Sequence, residues 1–199
     1  MTSQRDKKSS LKVLAIEDGS FSKADRYCLV VGVVVTCNSI ERVLLDRIHI
    51  DGTDGTKTVM SFVNRSKGVG LIMLPSVSLA GFNVIDPHEL HRKLKVPVVV
   101  ANPERPRLEA IHEALKRHFP DWKRRIRVFK LMGSPGIFRV PREGVLYFYA
   151  VGLSATRTRT MLRSLIRFGK KPEPLRIARI IARALSSTSP LKITWGVRR

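Results

Sequence analysis

Apolar residues gather early in the chain into short continuous runs, closed by Gly, Pro, Asp or Asn, and later take up helical spacing. The run Leu11, Val13, Leu14, Ala15 and Ile16 predicts a strand covered on both faces, and Asp18-Gly19 closes it. From Tyr27 the segment YCLVVGVVVTCN is almost wholly apolar and β-branched, so it predicts a central strand. Glu41 to Ile50, with Val43, Leu45, Ile48 and Ile50, predicts a third strand of mixed faces. Short links between the three imply an antiparallel meander. Two Asp-Gly pairs, at Asp51 and Asp54, then stand at the mouth of a helix marked by Val59, Phe62 and Val63, with Thr56 as its cap. Residues 70–85 predict a strand, a break at Pro75 and a small-residue crossing that ends at Asp86-Pro87.

A short helix follows over His88 to Leu94, then the compact buried strand VPVVVA from Val96, then a helix whose apolar face is Leu108, Ile111, Ala114, Leu115 and Phe119. The order β-β-β-α-β-α-β-α, a meander feeding alternating parallel units, is that of an α/β ribonuclease H-like mixed sheet with C-terminal helices. WKRRIRVFK, around Ile126 and Val128, reads as a polar-faced edge strand, and GVLYFYAVGL from Gly144 as another strand or its hairpin partner. Ser154 caps a helix through Phe168, buried along Met161, Leu162, Leu165 and Ile166, with Arg159, Arg163 and Arg167 four residues apart on the other side. After Pro172-Glu173-Pro174 the last helix turns Ile177, Ile180, Ile181, Ala184 and Leu185 inward and Arg176, Arg179 and Arg183 outward. Glu173 suits its N-terminus. At 199 residues the chain is expected to form one domain, with residues 1–10 a flexible tail.

Charge changes the picture more than composition does. Against 16 acidic residues stand 37 basic ones, a formal net charge of +21. A heat-adapted surface would raise both signs together, so the imbalance points to a polyanion, nucleic acid first. Cys28 and Cys37 are at odd spacing within an apolar run, which disfavours a disulfide and supplies no zinc-ligand pair. No apolar stretch reaches the ~18 residues of a membrane span, and the polar N-terminus is unlike a signal peptide. A reducing, cytoplasmic setting is expected, with no membrane partner.

Metal-dependent phosphodiester cleavage needs carboxylates that converge, because hard divalent cations take oxygen ligands and activate water against the phosphate. Asp18 ends the first strand, Asp51 and Asp54 follow the third, and Asp86 follows the fourth. In a meander the first and third strands end on the same side of the sheet. Any one Asp-Gly is first of all a turn, and Asp86-Pro87 is an ordinary helix entry. Their common place at strand ends, in so basic a chain, singles out Asp18 and Asp54. His88, or His91, near Asp86 is placed to contact a phosphate; His49, His112 and His118 read as surface or boundary residues. The arginine ladders, Arg159 and Arg163 on one helix and Arg176 and Arg179 on the next, predict a phosphate-tracking groove.

With these residues in view, the chain resembles the archaeal endonuclease dU proteins, which are related to endonuclease V. The resemblance spans nearly the whole chain and rests on AIEDGSF at Ala15, IDGTDGT at Ile50, SLAGFNVID at Ser78, VPVVVANPERP at Val96 and KPEPLRIARIIA at Lys171. It implies an endonuclease V-like domain and magnesium-dependent cleavage (manganese being the usual substitute) of DNA at or near a deaminated base, uracil in the family's name. Asp18 matches the first-strand aspartate of endonuclease V, and Asp54 sits where that enzyme has a glutamate. Where an Asp-Gly is expected after the fourth strand the chain has Pro75-Ser76, and where a histidine is expected after Val151-Gly152 it has Leu153. Asp86 is the neighbouring carboxylate that would complete the set. The expected metal ligands are therefore Asp18, Asp54, Asp86 and Asp51, with Asn83 orienting nearby. Two alternatives stay open: a nucleic-acid binder without catalysis, and a nuclease of this fold that cuts RNA.

Overall fold

The computed structural model describes residues 11–22, 24–37 and 39–187; the predicted N-terminal tail lies outside them. Three strands come first, β1 (Lys12–Asp18), β2 (Tyr27–Thr36) and β3 (Ser39–His49), followed by α1 (Gly55–Asn64) and β4 (Leu71–Leu74). A two-stranded hairpin of β5 (Ser78–Leu79) and β6 (Asn83–Val84) leads to α2 (Pro87–Leu94) and β7 (Val98–Asn102). The chain continues through α3 (Leu108–His118), α4 (Trp122–Leu131), β8 (Gly136–Val140), β9 (Gly144–Val151), α5 (Ala155–Leu165) and α6 (Glu173–Ser187). Seven strands form one mixed sheet in the order β3-β2-β1-β4-β7-β9-β8. The meander is antiparallel, β1, β4 and β7 are parallel, and β9 runs antiparallel to β7.

Alternation along the central strands gives the sheet two buried faces. Leu14 and Ile16 of β1 pack with Val59 and Phe62 of α1 on one side, while Val13 and Ala15 pack with Leu175, Ala178 and Ala182 of α6 on the other. Gly32 of β2 permits one close approach: a Cβ there would stand 2.6 Å from the Phe62 ring. Phe62 is fully buried, worth ~2–3 kcal/mol in transfer free energy.

Three expectations need correction. WKRRIRVFK is helix α4, not an edge strand. Its alternating Ile126 and Val128 suggested period two, but Trp122, Ile126 and Phe129 also fall at helical spacing; Ile126 is buried and Val128 and Phe129 pack against the core. The true partner of β9 is β8, from Gly136. On α6 the buried stripe is Pro174, Leu175, Ala178 and Ala182, and Ile180 is 53% exposed. Alanines let the helix lie close to the sheet; the half-buried Ile177 and Ile181 pack at the flanks of this contact, as expected, while Ala184 faces solvent with Ile180. Finally, Asp54 and not Thr56 holds the N-cap position of α1; the Thr56 hydroxyl accepts the Asp86 N–H at 3.0 Å.

Candidate active site

Parallel strands β1, β4 and β7 end on one edge of the sheet, and the predicted carboxylates gather around the hairpin that crosses it. Asp18, at the end of β1, accepts the Ala80 N–H on Oδ2 at 2.7 Å. Behind it the Cys28 thiol donates to the Gly19 carbonyl, and burial pushes that thiol's pKa up to about 12, so it stays a neutral packing group. Asp51 adopts φ 57°, a left-handed turn conformation that Asp tolerates. Its carboxylate accepts the Phe82 N–H at 2.7 Å and its own N–H donates to the Ala80 carbonyl at 2.9 Å. Asp51 thus staples the turn after β3 to the hairpin. Gly81, at φ +79°, leaves room for this: a Cβ there would lie 2.3 Å from Asp51 Oδ1.

Asp54 makes no side-chain cap bond to α1 and instead turns back toward β3. It accepts the His49 backbone N–H at 3.2 Å and the Asn83 side-chain amide at 2.5 Å, and the His49 ring Nδ1 stands 2.8 Å from Oδ2. Partial burial pushes the Asp54 carboxyl up, but the hydrogen bonds from His49 and Asn83 outweigh it and hold it below the usual carboxylate range. Asn83 is fully buried with its amide satisfied at both ends: Nδ2 also donates to the His49 carbonyl at 2.8 Å, and Oδ1 accepts the Gly55 N–H at 2.9 Å. One side chain thereby joins β6, the end of β3 and the start of α1.

Asp18 and Asp54 are both tied to the stretch Ala80–Asn83, and Asp51 with them. Asp86 is committed elsewhere. Its carboxylate caps α2, accepting the N–H groups of His88 at 2.9 Å and Glu89 at 3.0 Å, with His88 exposed in the first turn. Among the described residues no group of three or more His, Cys, Asp or Glu side chains forms a metal-ligand cluster. Leu153 lies two residues beyond Val151, which pairs with Val98 at the start of β7; a histidine at that position would stand on the opposite sheet edge from Asp18.

The arginine ladders divide. Arg176 is held by Glu173 through two short contacts, and Arg159 donates to the Ile137 carbonyl at 3.3 Å while lying over Phe148. Arg163 and Arg179 are exposed. The C-terminal half of α6 reaches the loop after β1, where Arg183 donates to the Ser20 hydroxyl at 3.1 Å and Ser186 accepts the Ser20 N–H at 2.7 Å. Sequence reasoning missed two acid–base side chains and a cavity. His49 was hidden because a strand residue has no spacing that marks it for Asp54. Glu17, only 4% exposed, lies under α6 and pairs with Lys171; burial pushes its carboxyl up, and Lys171 only partly offsets this. Beside the hairpin, at the ends of β4 and β7, a cavity of about 910 Å³ is lined by Ser76, Phe82, Asn102, Arg105, Phe129 and Tyr149 among others.

Residues 9–186 match the family described as Endonuclease dU. A UPF0215 protein of Thermococcus gammatolerans is 35% identical over 195 residues, covering 94% of this chain and 98% of that protein. Among solved structures, a protein of unknown function from Archaeoglobus fulgidus superposes with a TM-score of 0.78 at 32% identity, over 88% of this chain and 98% of that one. Endonuclease V of Ciona intestinalis, in complex with a 24mer DNA containing an inosine followed by a ribo-adenosine, superposes with a TM-score of 0.59 at 11% identity, over 89% and 86% of the two chains. That last likeness is one of fold.

Proposed function

The chain belongs to the endonuclease dU family, and on that premise we propose that it is a magnesium-dependent endonuclease of ribonuclease H-like fold, cutting DNA at or near deaminated bases, uracil first. The observation that carries this reading is the pair of carboxylates, Asp18 and Asp54, hung from one hairpin at the strand ends of a chain with net charge +21.

The donor set suits a hard cation. Asp18 has one oxygen bonded to the Ala80 N–H and the other without a hydrogen-bond partner among the described residues, both groups offer oxygen and not sulfur, and magnesium is commonly held by one or two carboxylates plus substrate phosphate and water. Asp18 and Asp54 would hold the cation, which would supply positive charge against the scissile phosphate and lower the pKa of an attacking water. The chain's own residues do the rest. His49 and Asn83 keep Asp54 ionised and aimed, and Asn83 fixes the start of α1. Arg179 and Arg183, on the half of α6 that reaches the β1 loop, meet strand phosphates. The cavity beside Phe82 has the size and the aromatic walls, Phe82, Phe129 and Tyr149, to stack an unpaired base, with Asn102 and Ser76 available for its polar edge.

Purified protein with magnesium and strands carrying uracil, inosine or no damage, each as DNA and with a ribonucleotide, tests the reading. Cleavage of a deaminated strand is expected, and Asp18→Asn and Asp54→Asn should each reduce it by at least about 100-fold. Wild-type rates in either variant reject the assigned site. The second reading, a binder without catalysis, is favoured by the lack of a three-ligand cluster among the described residues; it predicts salt-sensitive binding with no magnesium-dependent product.

A further inference from the structure

Arg125 is the one inward-facing cation of a helix whose Lys123, Arg124 and Arg127 all face solvent, and only 7% of it is exposed. A buried guanidinium is costly unless each N–H finds a partner. Here Nε donates to Asp121 Oδ1 at 2.7 Å, and Nη1 donates both to the Gly52 carbonyl at 2.9 Å and to the Phe82 carbonyl at 2.6 Å. The guanidinium also lies 4.4 Å from the centre of the Phe119 ring. Asp121, one turn earlier, is pushed up by partial burial, but the bonds from Arg125 and Arg124 prevail and hold its carboxyl below the usual range, so the pair stays charged.

The two carbonyls belong to the two loops that carry the site. Gly52 lies in the turn between His49 and Asp54, and Phe82 is in the hairpin turn whose Ala80 and Asn83 bind Asp18 and Asp54. Both loops converge on a single nitrogen, so one side chain from α4 joins them. Asp51, through Ala80 and Phe82, and Asn83, through Asp54, His49 and Gly55, bridge the same loops from within, and Arg125 is the brace that comes from outside them. The planar fork of arginine is suited to this: it can bind Asp121 with one edge and the loops with another, which the point charge of lysine cannot do at once.

We propose that Arg125 is a positioning residue that holds the Asp54 turn and the Ala80–Asn83 hairpin at the spacing needed for cation binding by Asp18 and Asp54. It acts through the loops and touches neither carboxylate. The proposal rests on the assignment of Asp18 and Asp54 as the cation-binding pair, so the experiment carries its own control for that assignment.

Mn2+ binding to the full chain is measured by electron paramagnetic resonance, without nucleic acid and well below the melting temperature, for wild type, Asp54→Asn, Arg125→Gln and Arg125→Lys. Wild type should bind, and Asp54→Asn should lose binding. Arg125→Gln should weaken it by about 10- to 100-fold, as loss of an outer partner does, and Arg125→Lys by a smaller factor of about 3 to 10, because its ammonium reaches the carbonyls but gives up Asp121. Hydrogen exchange at residues 50–55 and 79–84 should quicken together in both Arg125 variants. Where Arg125→Gln does not fold, Arg125→Lys decides. If wild type binds no Mn2+, or Asp54→Asn binds as tightly as wild type, the site assignment fails and the proposal with it. If those controls hold and a folded Arg125 variant, lowered only in melting temperature, binds Mn2+ like wild type, the Arg125 proposal alone is overturned.

Discussion

As the proposed cation ligand, Asp54 should set the acid limit of the site, with His49 and Asn83 holding it ionised. The hydrogen bonds from His49 and Asn83 depress the Asp54 pKa below its ordinary value of 3.8, so their contribution is present above that value and is lost as the pH falls through the folded pKa. His49→Ala removes the ring contact at 2.8 Å and lets the Asp54 pKa climb. The acid limb of the proposed cleavage should therefore move to higher pH, read from rates at subsaturating magnesium, where protons and cation compete for the carboxylate. Glu17 behaves in the opposite sense. Its folded pKa is raised above 4.5 by burial, so its contribution is full below that value and falls as pH rises through the folded pKa. Lys171→Met leaves an ionised carboxylate under α6 with no partner, and should cost ~3 kcal/mol at neutral pH, recovered in acid as Glu17 takes a proton. Chemical denaturation at pH 7 and pH 4 measures both. Replacing the pair together, Glu17→Leu with Lys171→Met, should cost much less than Lys171→Met alone.

At the level of elements, the close contact between β2 and α1 is the most sensitive joint. Gly32→Ala puts a methyl where the Phe62 ring stands, 2.6 Å from its edge, and should destabilise the fold by ~1–3 kcal/mol in a urea melt. Elements with one unambiguous period were legible in the sequence: the β-branched runs of β1, β2 and β7, the Asp-Gly stops, and the Ser154 cap of α5, which accepts the Arg157 N–H. Where two periods fit the same residues, as in WKRRIRVFK, the alternation was misleading, and tertiary packing of Ile126 decided for helix. The α6 stripe misled for a related reason: hydrophobicity favoured the isoleucines, whereas close approach to β1 and β2 favours alanine. Of the site, the strand-end carboxylates were visible because a turn residue leaves a mark in sequence. The bonds of Asp54 to His49 and Asn83, and of Arg125 to Gly52 and Phe82, were not, since they depend on how a hairpin folds back over the sheet edge.

For the whole molecule, the proposed substrate is a polyanion, and the net charge of +21 should govern encounter with it. No helix among the described residues is long and apolar enough to cross a membrane. Replacing both Arg179 and Arg183 by alanine should weaken binding to every strand by a similar factor and flatten the plot of log affinity against log salt by about 1 to 2 units, measured by fluorescence anisotropy. The sheet carries a further consequence through β1, whose even-numbered side chains face α1 and the hairpin while the odd-numbered ones face α6. Glu17 and Asp18 are sequence neighbours with separate fates because of that parity alone. Deleting one residue between Lys12 and Ile16, with the strand before it keeping its pairing, would turn the longer acid onto the α1 face in the buried place of Ile16 and the shorter one onto the α6 face opposite Lys171. Deleting two would restore the faces but draw both acids about 7 Å back from the rim, so β1 must preserve its length as well as its parity.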